Sequence, residues 1–214
     1  MDHRWSILYQ KEIMASDDPR SFFKKKVKEK QPLLKKIRKY SSHTRKKMLE
    51  AGCGTGVLST YLANRGFKVT ALDNDENMLK LARDIADLFP NQPKFVKKTL
   101  LDLDYSDNHF DISFSHGVLE HFKEEKLIKI INNQLRVAKI LIFSVPSNYF
   151  KEKDKIHGDE HFLSIRGWEK IIDKTNGEII EKFGYYFQNQ IKALLYYLFK
   201  IFTPPYIGFV ISKK

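Results

Sequence analysis

The sequence predicts a doubly wound α/β fold, with seven strands in a mostly parallel sheet, helices on both faces and a helical N-terminal cap. From Lys47 onward, short apolar runs alternate with segments of helical periodicity, which is typical of βαβ units. A glycine-rich turn joins the first run to the first helix, as at the ligand-binding edge of open α/β sheets. The 214 residues suit one compact unit, in which a cap over 1–46 covers an α/β domain over 47–214.

The strands are placed by short apolar runs rich in β-branched and aromatic residues. In chain order they are predicted at 47–52, 67–73, 94–100, 110–116, 138–146, 178–187 and 206–212. Because such runs are apolar throughout, the sheet is expected to be covered by helices on both faces.

Helical periodicity fills the connections between these strands. The first helix ends near Gly66, which suits a left-handed C-terminal cap, and the second begins near Glu76 and ends at Pro90. Apolar residues at helical spacing over 127–135 predict the next helix. Ser164 is placed to cap the last helix of this series.

The chain carries a strong positive charge. Its 38 Lys and Arg against 26 Asp and Glu give +12, and much of the excess lies between Arg20 and Lys47. Apolar residues interleave with these charges, which favours the solvated side of amphipathic cap helices over a surface for RNA or an anionic membrane. The buried side of these helices is expected to comprise Phe22, Phe23, Val27, Leu33, Leu34 and Ile37.

Cysteine content and hydropathy indicate the compartment. Cys53 is the single cysteine, which excludes an intrachain disulfide and a cysteine-based zinc site. No apolar run approaches the roughly 18 to 20 residues that span a bilayer, and residues 1–12 lack the apolar segment of a secretory signal. We therefore expect a cytoplasmic protein, whose oligomeric state the sequence does not determine.

The sharpest motif is EAGCGTG, from Glu50 to Gly56, between the first strand and the first helix. Glycines there permit positive φ and let the main chain approach a ligand closely. A nicotinamide-binding turn reads G-x-G-x-x-G, whereas here the third glycine comes one residue early and Val57 takes the last position, which argues against a dinucleotide.

Asp73 ends the second predicted strand. A carboxylate at this edge of the sheet can accept hydrogen bonds from both hydroxyls of a ribose. The alternative is that Asp73 caps the helix that follows. If Asp73 does bind the ribose, its replacement by alanine should weaken binding by about 1.5 to 3 kcal/mol.

Four sequence blocks occur in a diagnostic order. They are EAGCGTG at 50–56, ALDNDENML at 71–79, DNHFDISFSHGVLEHF at 107–122 and ILIFSVP at 140–146. Together they resemble the class I S-adenosylmethionine-dependent methyltransferases, in the branch that includes the ubiquinone and menaquinone biosynthesis enzymes. The resemblance covers about residues 47–187 and implies a Rossmann-like fold, S-adenosylmethionine as cofactor and methyl transfer as the activity.

The resemblance also implies a set of cofactor-binding residues. The glycine turn would follow the methionine part, Glu50 would reach its ammonium group, Asp73 would hold the ribose, and Ser115 and His116 would close the far side. The complete implied set is Glu50, Gly52, Cys53, Gly54, Gly56, Asp73, Asn74, Met78, Thr99, Leu100, Ser115 and His116.

One position departs from the family pattern. Many relatives carry an acidic residue after the third strand to accept the adenine amino group, and here that position is Thr99, with Asp102 as a displaced substitute. A hydroxyl or a main-chain carbonyl can accept the same hydrogen bond.

Methyl transfer from a sulfonium needs alignment of the acceptor and exclusion of water more than acid-base chemistry. A base helps when the acceptor is a hydroxyl, and the candidate catalytic residues are His116, His121 and His161. The alternative for His121 is a hydrogen bond to the backbone that fixes its loop. His157, Asp159 and His161 have metal-ligand side chains, but no third distant ligand accompanies them, so no metal is expected.

The variable segments are the source of acceptor specificity. Trp5 and Tyr9 lie one helical turn apart, and residues 188–202 are rich in aromatic and apolar side chains. They predict a small or lipid-like, apolar or aromatic acceptor methylated at oxygen, or contact with an anionic membrane, and core packing is the simpler alternative. An RNA methyltransferase, a non-catalytic S-adenosylmethionine-binding protein and a nicotinamide enzyme remain as alternatives.

Overall fold

Seven strands in the described part of the chain form one sheet. The computed structural model describes residues 4–41, 46–156, 158–186, 196 and 203–214. The strands are β1 Lys47–Ala51, β2 Lys68–Asp73, β3 Lys94–Lys97, β4 Phe110–His116, β5 Ala138–Pro146, β6 Gly177–Tyr185 and β7 Tyr206–Lys213. Their order across the sheet is β3-β2-β1-β4-β5-β7-β6, and β7 is antiparallel to both of its neighbours. The predicted mostly parallel, doubly wound sheet is confirmed.

Helices cover both faces of this sheet. They are α1 Arg4–Met14, α2 Pro19–Glu29, α3 Gln31–Lys39, α4 Val57–Ala63, α5 Glu76–Ala86, α6 Glu124–Val137 and α7 Ile165–Asp173. Side chains of α2, α3 and α4 pack on one face, and those of α6 and α7 pack on the other. As predicted, α7 is capped by Ser164, whose hydroxyl accepts a hydrogen bond from the N–H of Gly167 at 3.1 Å.

The cap helices are amphipathic, as their sequence predicts. The six apolar residues expected to face inward are all buried, while lysines such as Lys24, Lys28 and Lys35 are exposed. Glu181 of β6 fixes the end of α3, because its carboxylate pairs with Lys36 at 2.5 Å and with Lys39 at 2.8 Å. These partners lower the pKa of Glu181 to about 2 against the opposing effect of desolvation.

Two predicted strand boundaries were wrong. Strand β3 ends at Lys97 and not at residue 100, because its neighbour β2 ends at Asp73 and offers no further carbonyl after the one that accepts from the N–H of Lys98. Strand β6 ends at Tyr185, since Tyr186 takes a left-handed conformation with φ of 65°.

The aromatic segment 188–202, which is predicted to meet the acceptor, lies outside the described residues except for Tyr196, which is buried.

Among the helices that the structure describes, none combines the length and apolar character needed to cross a bilayer.

Candidate active site

The glycine-rich turn exposes bare main chain at the carboxyl end of β1. Gly52 and Gly54 have φ of 75° and 52°, and the N–H groups of Gly52 and Cys53 both donate to the carbonyl of Leu72. A Cβ atom on Gly52 would lie 2.6 Å from a methyl group of Val118. The turn therefore has room for a ligand beside its backbone and none for a side chain at Gly52.

We predict that Gly52→Ala destabilises the fold by about 2 kcal/mol. Alanine at this position is forced into a left-handed backbone conformation, and its Cβ atom clashes with Val118. Gly158→Ala is the matched control, since Gly158 also has a positive φ, of 83°, but open space around its Cβ position. The control should lose only about 1 kcal/mol. Chemical denaturation measures both, and equal losses would contradict the role given to Val118.

Asp73 joins this turn to the end of β2. One carboxylate oxygen accepts from the N–H of Gly54 at 2.9 Å, and the other accepts from the N–H of Asp75 at 3.0 Å. Desolvation raises the pKa of Asp73 against these hydrogen bonds. The alternative prediction that Asp73 caps α5 was wrong, because the capping side chain is Asp75, which accepts from the N–H of Asn77.

Glu50 is a buried carboxyl group at the end of β1. Its Oε2 accepts hydrogen bonds from the N–H and the hydroxyl of Ser59, in the first turn of α4. Burial raises the pKa of Glu50 to about 8, so that the carboxyl group is mostly protonated at neutral pH. A bound cation beside it would reverse this preference.

Lys30 is a half-buried charge beside this site, which no sequence motif indicates. It lies between α2 and α3, lines the same cavity as Glu50, and has a pKa lowered to about 8 by burial. Its ammonium group has no hydrogen-bond or ion-pair partner in the described part of the chain. In the sequence it is one lysine in a basic run, and nothing distinguishes it from its exposed neighbours.

These groups line a cavity of about 450 Å³ at the carboxyl ends of β1, β2 and β4. Its volume lies in the usual range for small-molecule sites. Of the predicted cofactor-binding residues, those that line it are Glu50, Gly52, Cys53, Gly54, Asp73, Asn74, Met78, Thr99, Leu100 and His116.

Two predicted cofactor-binding residues do not line the cavity. Gly56 is the N-cap residue of α4, and a Cβ atom there would meet Ala82 and Phe95 at 2.9 Å, so this glycine permits close packing. Ser115 is buried within β4. Asp102, the displaced substitute for an adenine-binding acid, also lies outside the cavity lining.

A residue on α6 shapes the turn after β3. The side-chain amide of Asn133 donates to the carbonyl of Leu101 at 2.9 Å and to that of Leu100 at 3.3 Å. The hydroxyl of Thr99 accepts from the N–H of Leu101. Asn133 was missed because only the fold brings it beside this turn.

The three candidate catalytic histidines occupy different environments. His116 lines the cavity, and its Nδ1 lies 2.8 Å from the hydroxyl of Ser144. His121 also lines the cavity, and its Nδ1 lies 2.9 Å from a carboxylate oxygen of Asp159, so its partner is a side chain and not the backbone. The His161 side chain is exposed outside the cavity lining, while its N–H donates to the carbonyl of Glu120.

Potential metal ligands also meet beside His121. Ligand atoms of His121, Asp159 and Glu160 lie within 4.8 Å of one another. The Glu160 carboxylate already accepts from the N–H groups of Ile156 and Gly158, each at 2.9 Å, which gives it a loop-forming role. His157, the other histidine considered for a metal, lies outside the described residues.

The sheet order, the bare turn after β1 and the acid at the end of β2 define a class I methyltransferase fold. Residues 48–140 match the family model described as a methyltransferase domain. Over these residues the chain is similar to methyltransferase domains, and its fold is the one shared by class I S-adenosylmethionine-dependent methyltransferases.

Individual relatives agree with this assignment. A Geobacillus sp. (strain WCH70) protein named as a methyltransferase is 31% identical over 134 residues, which cover 61% of this chain and 53% of the relative. The ubiquinone biosynthesis O-methyltransferase of Rickettsia conorii is 33% identical over 91 residues, 42% of this chain and 31% of that protein. The chain thus spans about half the length, or less, of these two curated relatives.

A solved structure shares the fold. The magnesium protoporphyrin IX methyltransferase of Synechocystis PCC 6803, crystallised with S-adenosylmethionine, aligns with a TM-score of 0.65 at 19% identity. The alignment covers 88% of this chain and 81% of that one.

Proposed function

We propose that this protein transfers a methyl group from S-adenosylmethionine to an oxygen of a small or lipid-like molecule with apolar or aromatic character. The observation that carries the proposal is that the cavity lining has two parts, one polar and one aromatic. Glycine main chain, Glu50 and Asp73 provide polar contacts for a cofactor, while Trp5 and Phe122 provide aromatic surface.

The residues present fit S-adenosylmethionine. Asp73 offers a carboxylate to the ribose hydroxyls, while the Glu50 carboxylate and the Lys30 ammonium group can pair with the ammonium and the carboxylate of an amino acid. Met78 and Leu100 provide apolar contacts for a purine. When bound, the cofactor supplies a methyl group on a sulfonium, which is already activated for displacement.

The acceptor side is built partly from the cap. Trp5 stacks on Tyr9 with ring centroids 6.1 Å apart and meets the edge of His121 at 5.5 Å. Aromatic rings of this kind favour a flat, apolar acceptor. The name of the Rickettsia relative records O-methylation in ubiquinone biosynthesis, which supports oxygen as the methylated atom.

The proposal is tested by methyl transfer into fractionated cell extract. The protein is incubated with S-adenosylmethionine labelled in its methyl group and with separate metabolite, lipid and RNA fractions. Label in an uncharged product extractable into organic solvent is expected, and Asp73→Ala should remove it. Calorimetric binding of S-adenosylhomocysteine without transfer to any fraction would favour a non-catalytic binding protein, and binding of NAD in its place would overturn the cofactor assignment.

A second candidate is an RNA methyltransferase, which the exposed basic side chains of α2 and α3 favour. Exposed members of this set are Lys24, Lys25, Lys28, Lys35, Arg38 and Lys39. This candidate predicts label in the RNA fraction and RNA binding that weakens steeply as salt increases.

For the cofactor's amino-acid end, we predict that Lys30→Met weakens binding of S-adenosylhomocysteine about 10-fold, through loss of a charged hydrogen bond to its carboxylate. Lys30→Arg should recover most of the affinity. Binding of 5′-methylthioadenosine, which lacks the amino-acid group, should not change, and calorimetry measures all three. An equal loss for both ligands would contradict this contact, and Lys28→Met, at an exposed position, is the control.

A further inference from the structure

Three polar groups from three strands meet behind the cavity. Nδ1 of His116 lies 2.8 Å from the hydroxyl oxygen of Ser144 and 3.2 Å from that of Tyr185. The Tyr185 hydroxyl donates to Ser144 at 2.9 Å. Ser144 and Tyr185 are buried, and the imidazole stacks on the ring of Tyr206. The imidazole is therefore held in one orientation.

The number of hydrogens in this triangle determines the tautomer of His116. The Tyr185 hydroxyl has one hydrogen, which goes to Ser144, and the Ser144 hydroxyl then has one hydrogen to give to Nδ1. If Nδ1 carried its own hydrogen, one of the two buried hydroxyls would have no acceptor within the triangle, which is costly for a buried polar group. The arrangement favours Nδ1 as acceptor and Nε2 as the protonated nitrogen.

The protonated nitrogen is the one available to a ligand. His116 lines the cavity, and within the described residues its Nε2 has no hydrogen-bond partner. Nε2 is also absent from the described buried polar atoms that lack a hydrogen-bond partner, so it is accessible from the cavity. The edge of the ring that carries Nε2 is thus open to the cavity, while the Nδ1 edge is occupied.

The surroundings also keep this imidazole neutral. Burial is the main cause that lowers the pKa of His116 well below its usual value, and the positive charges of Lys30 and Lys26 add to it. The phenols of Tyr185 and Tyr206 contribute no negative charge near neutral pH, because burial raises the pKa of each.

We infer that Tyr185 and Ser144 hold His116 as the Nε2–H tautomer, and that His116 donates a hydrogen bond to the oxygen of an acceptor that binds already ionised. This inference rests on the proposed function and narrows its substrate class to oxyanions, namely carboxylates or ionised phenols. His116 touches the acceptor, and Tyr185 and Ser144 are positioning residues.

The reaction balances without a base at His116. A lone pair of the acceptor oxyanion forms the new C–O bond to the methyl carbon, and the C–S bond breaks with its electron pair moving to sulfur. The products are a neutral methyl ester or ether and the thioether S-adenosylhomocysteine. No proton is transferred, because the acceptor lost its proton to solvent before binding.

The tautomer is measured directly by long-range ¹H–¹⁵N correlation spectroscopy on the ¹⁵N-labelled full chain at pH 7, with the His116 signals assigned by their absence in His116→Gln. Hydrogen on Nε2 and none on Nδ1 is expected. Tyr185→Phe and Ser144→Ala should each increase the Nδ1–H form. Hydrogen on Nδ1, or on both nitrogens, in the unmodified protein would overturn the inference. Calorimetry with S-adenosylhomocysteine tests the proposed function independently of this result.

The rate of methyl transfer in the labelled-extract assay distinguishes a hydrogen-bond donor at His116 from a general base. His116→Ala should lower the rate about 10- to 100-fold, through loss of a hydrogen bond to a charged oxygen. His116→Gln should recover most of the rate, because its amide N–H can replace Nε2–H but cannot remove a proton. Glutamine as inactive as alanine, with S-adenosylhomocysteine binding and the melting temperature retained, would overturn the donor role.

The labelled product identifies the acceptor class. Release of labelled methanol in alkali indicates a carboxylate acceptor, and a neutral, alkali-stable product indicates an ionised phenol. A product retained on a cation exchanger at acidic pH is a methylated amine and would overturn the oxyanion assignment.

Discussion

Asp73→Ala is expected to weaken binding of S-adenosylhomocysteine about 100-fold, near the upper end of the range of about 1.5 to 3 kcal/mol expected for loss of the ribose contact, and this is the largest effect on affinity that the site predicts. Alanine removes the acceptor of the ribose hydroxyls and also leaves the N–H groups of Gly54 and Asp75 without their carboxylate partner. The ligand contact and the shape of the glycine turn are lost together. Isothermal titration calorimetry measures the change.

Two variants make this result specific. Asp73→Asn keeps an acceptor for Gly54 but loses the charge, and it should fall between the wild type and Asp73→Ala. Asp84→Ala removes an exposed carboxylate from α5 and should bind like the wild type. A dissociation constant unchanged in Asp73→Ala would refute the ribose assignment.

Glu50→Gln is expected to stabilise the ligand-free protein while it weakens cofactor binding. The pKa of Glu50 is raised by burial from 4.5 to about 8 in the folded state, so the unfolded chain ionises this group at lower pH than the folded chain does. Stability is therefore highest below the unfolded pKa and falls as pH rises through the folded pKa. Glutamine does not ionise, and its gain should be about 2 to 4 kcal/mol at pH 7 to 8.

Urea denaturation from pH 5 to pH 9 measures this gain as a difference between the two proteins. Glu120 is also buried, with its pKa raised to about 7, and it contributes a similar slope to both proteins. That contribution cancels in the difference. A difference that does not grow between pH 5 and pH 8 would contradict the buried, neutral state of Glu50.

The same carboxyl group should release a proton when the cofactor binds. An ammonium group beside Glu50 favours the carboxylate, so binding of S-adenosylhomocysteine at pH 7 should release close to one proton. Lys30, with a pKa of about 8, is mostly charged at pH 7 and takes up little. Calorimetry in buffers of different ionisation enthalpy measures this release, which should vanish in Glu50→Gln and with 5′-methylthioadenosine.

The sequence predicts correctly those parts of the fold that local residue patterns determine. Apolar runs buried on both faces gave β1, β2, β4 and β5 to within one residue, and positive-φ glycines placed the turn after β1. The end of β3 was misplaced because it depends on where its neighbour stops, which is a property of the sheet and not of residues 98–100.

In the candidate site, too, residues in local motifs were predicted and residues placed by long-range contacts were not. Gly52, Gly54 and Asp73 belong to contiguous motifs and were predicted to lie together, and all three line the cavity. Lys30 and the Tyr185–Ser144 pair were missed, because their position depends on contacts between segments far apart in sequence. A lysine in a basic run and a tyrosine in an apolar strand carry no local sign of their role.

The place of β7 in the sheet has a consequence for folding. This strand follows every other strand in the sequence, yet it lies between β5 and β6, and its Tyr206 lies against His116. Until β7 has paired, β5 has an exposed edge and β6 lacks its neighbour in the described sheet. Such an edge invites pairing with other chains, so chaperone protection matters most for the folding intermediate in which β7 is not yet in place.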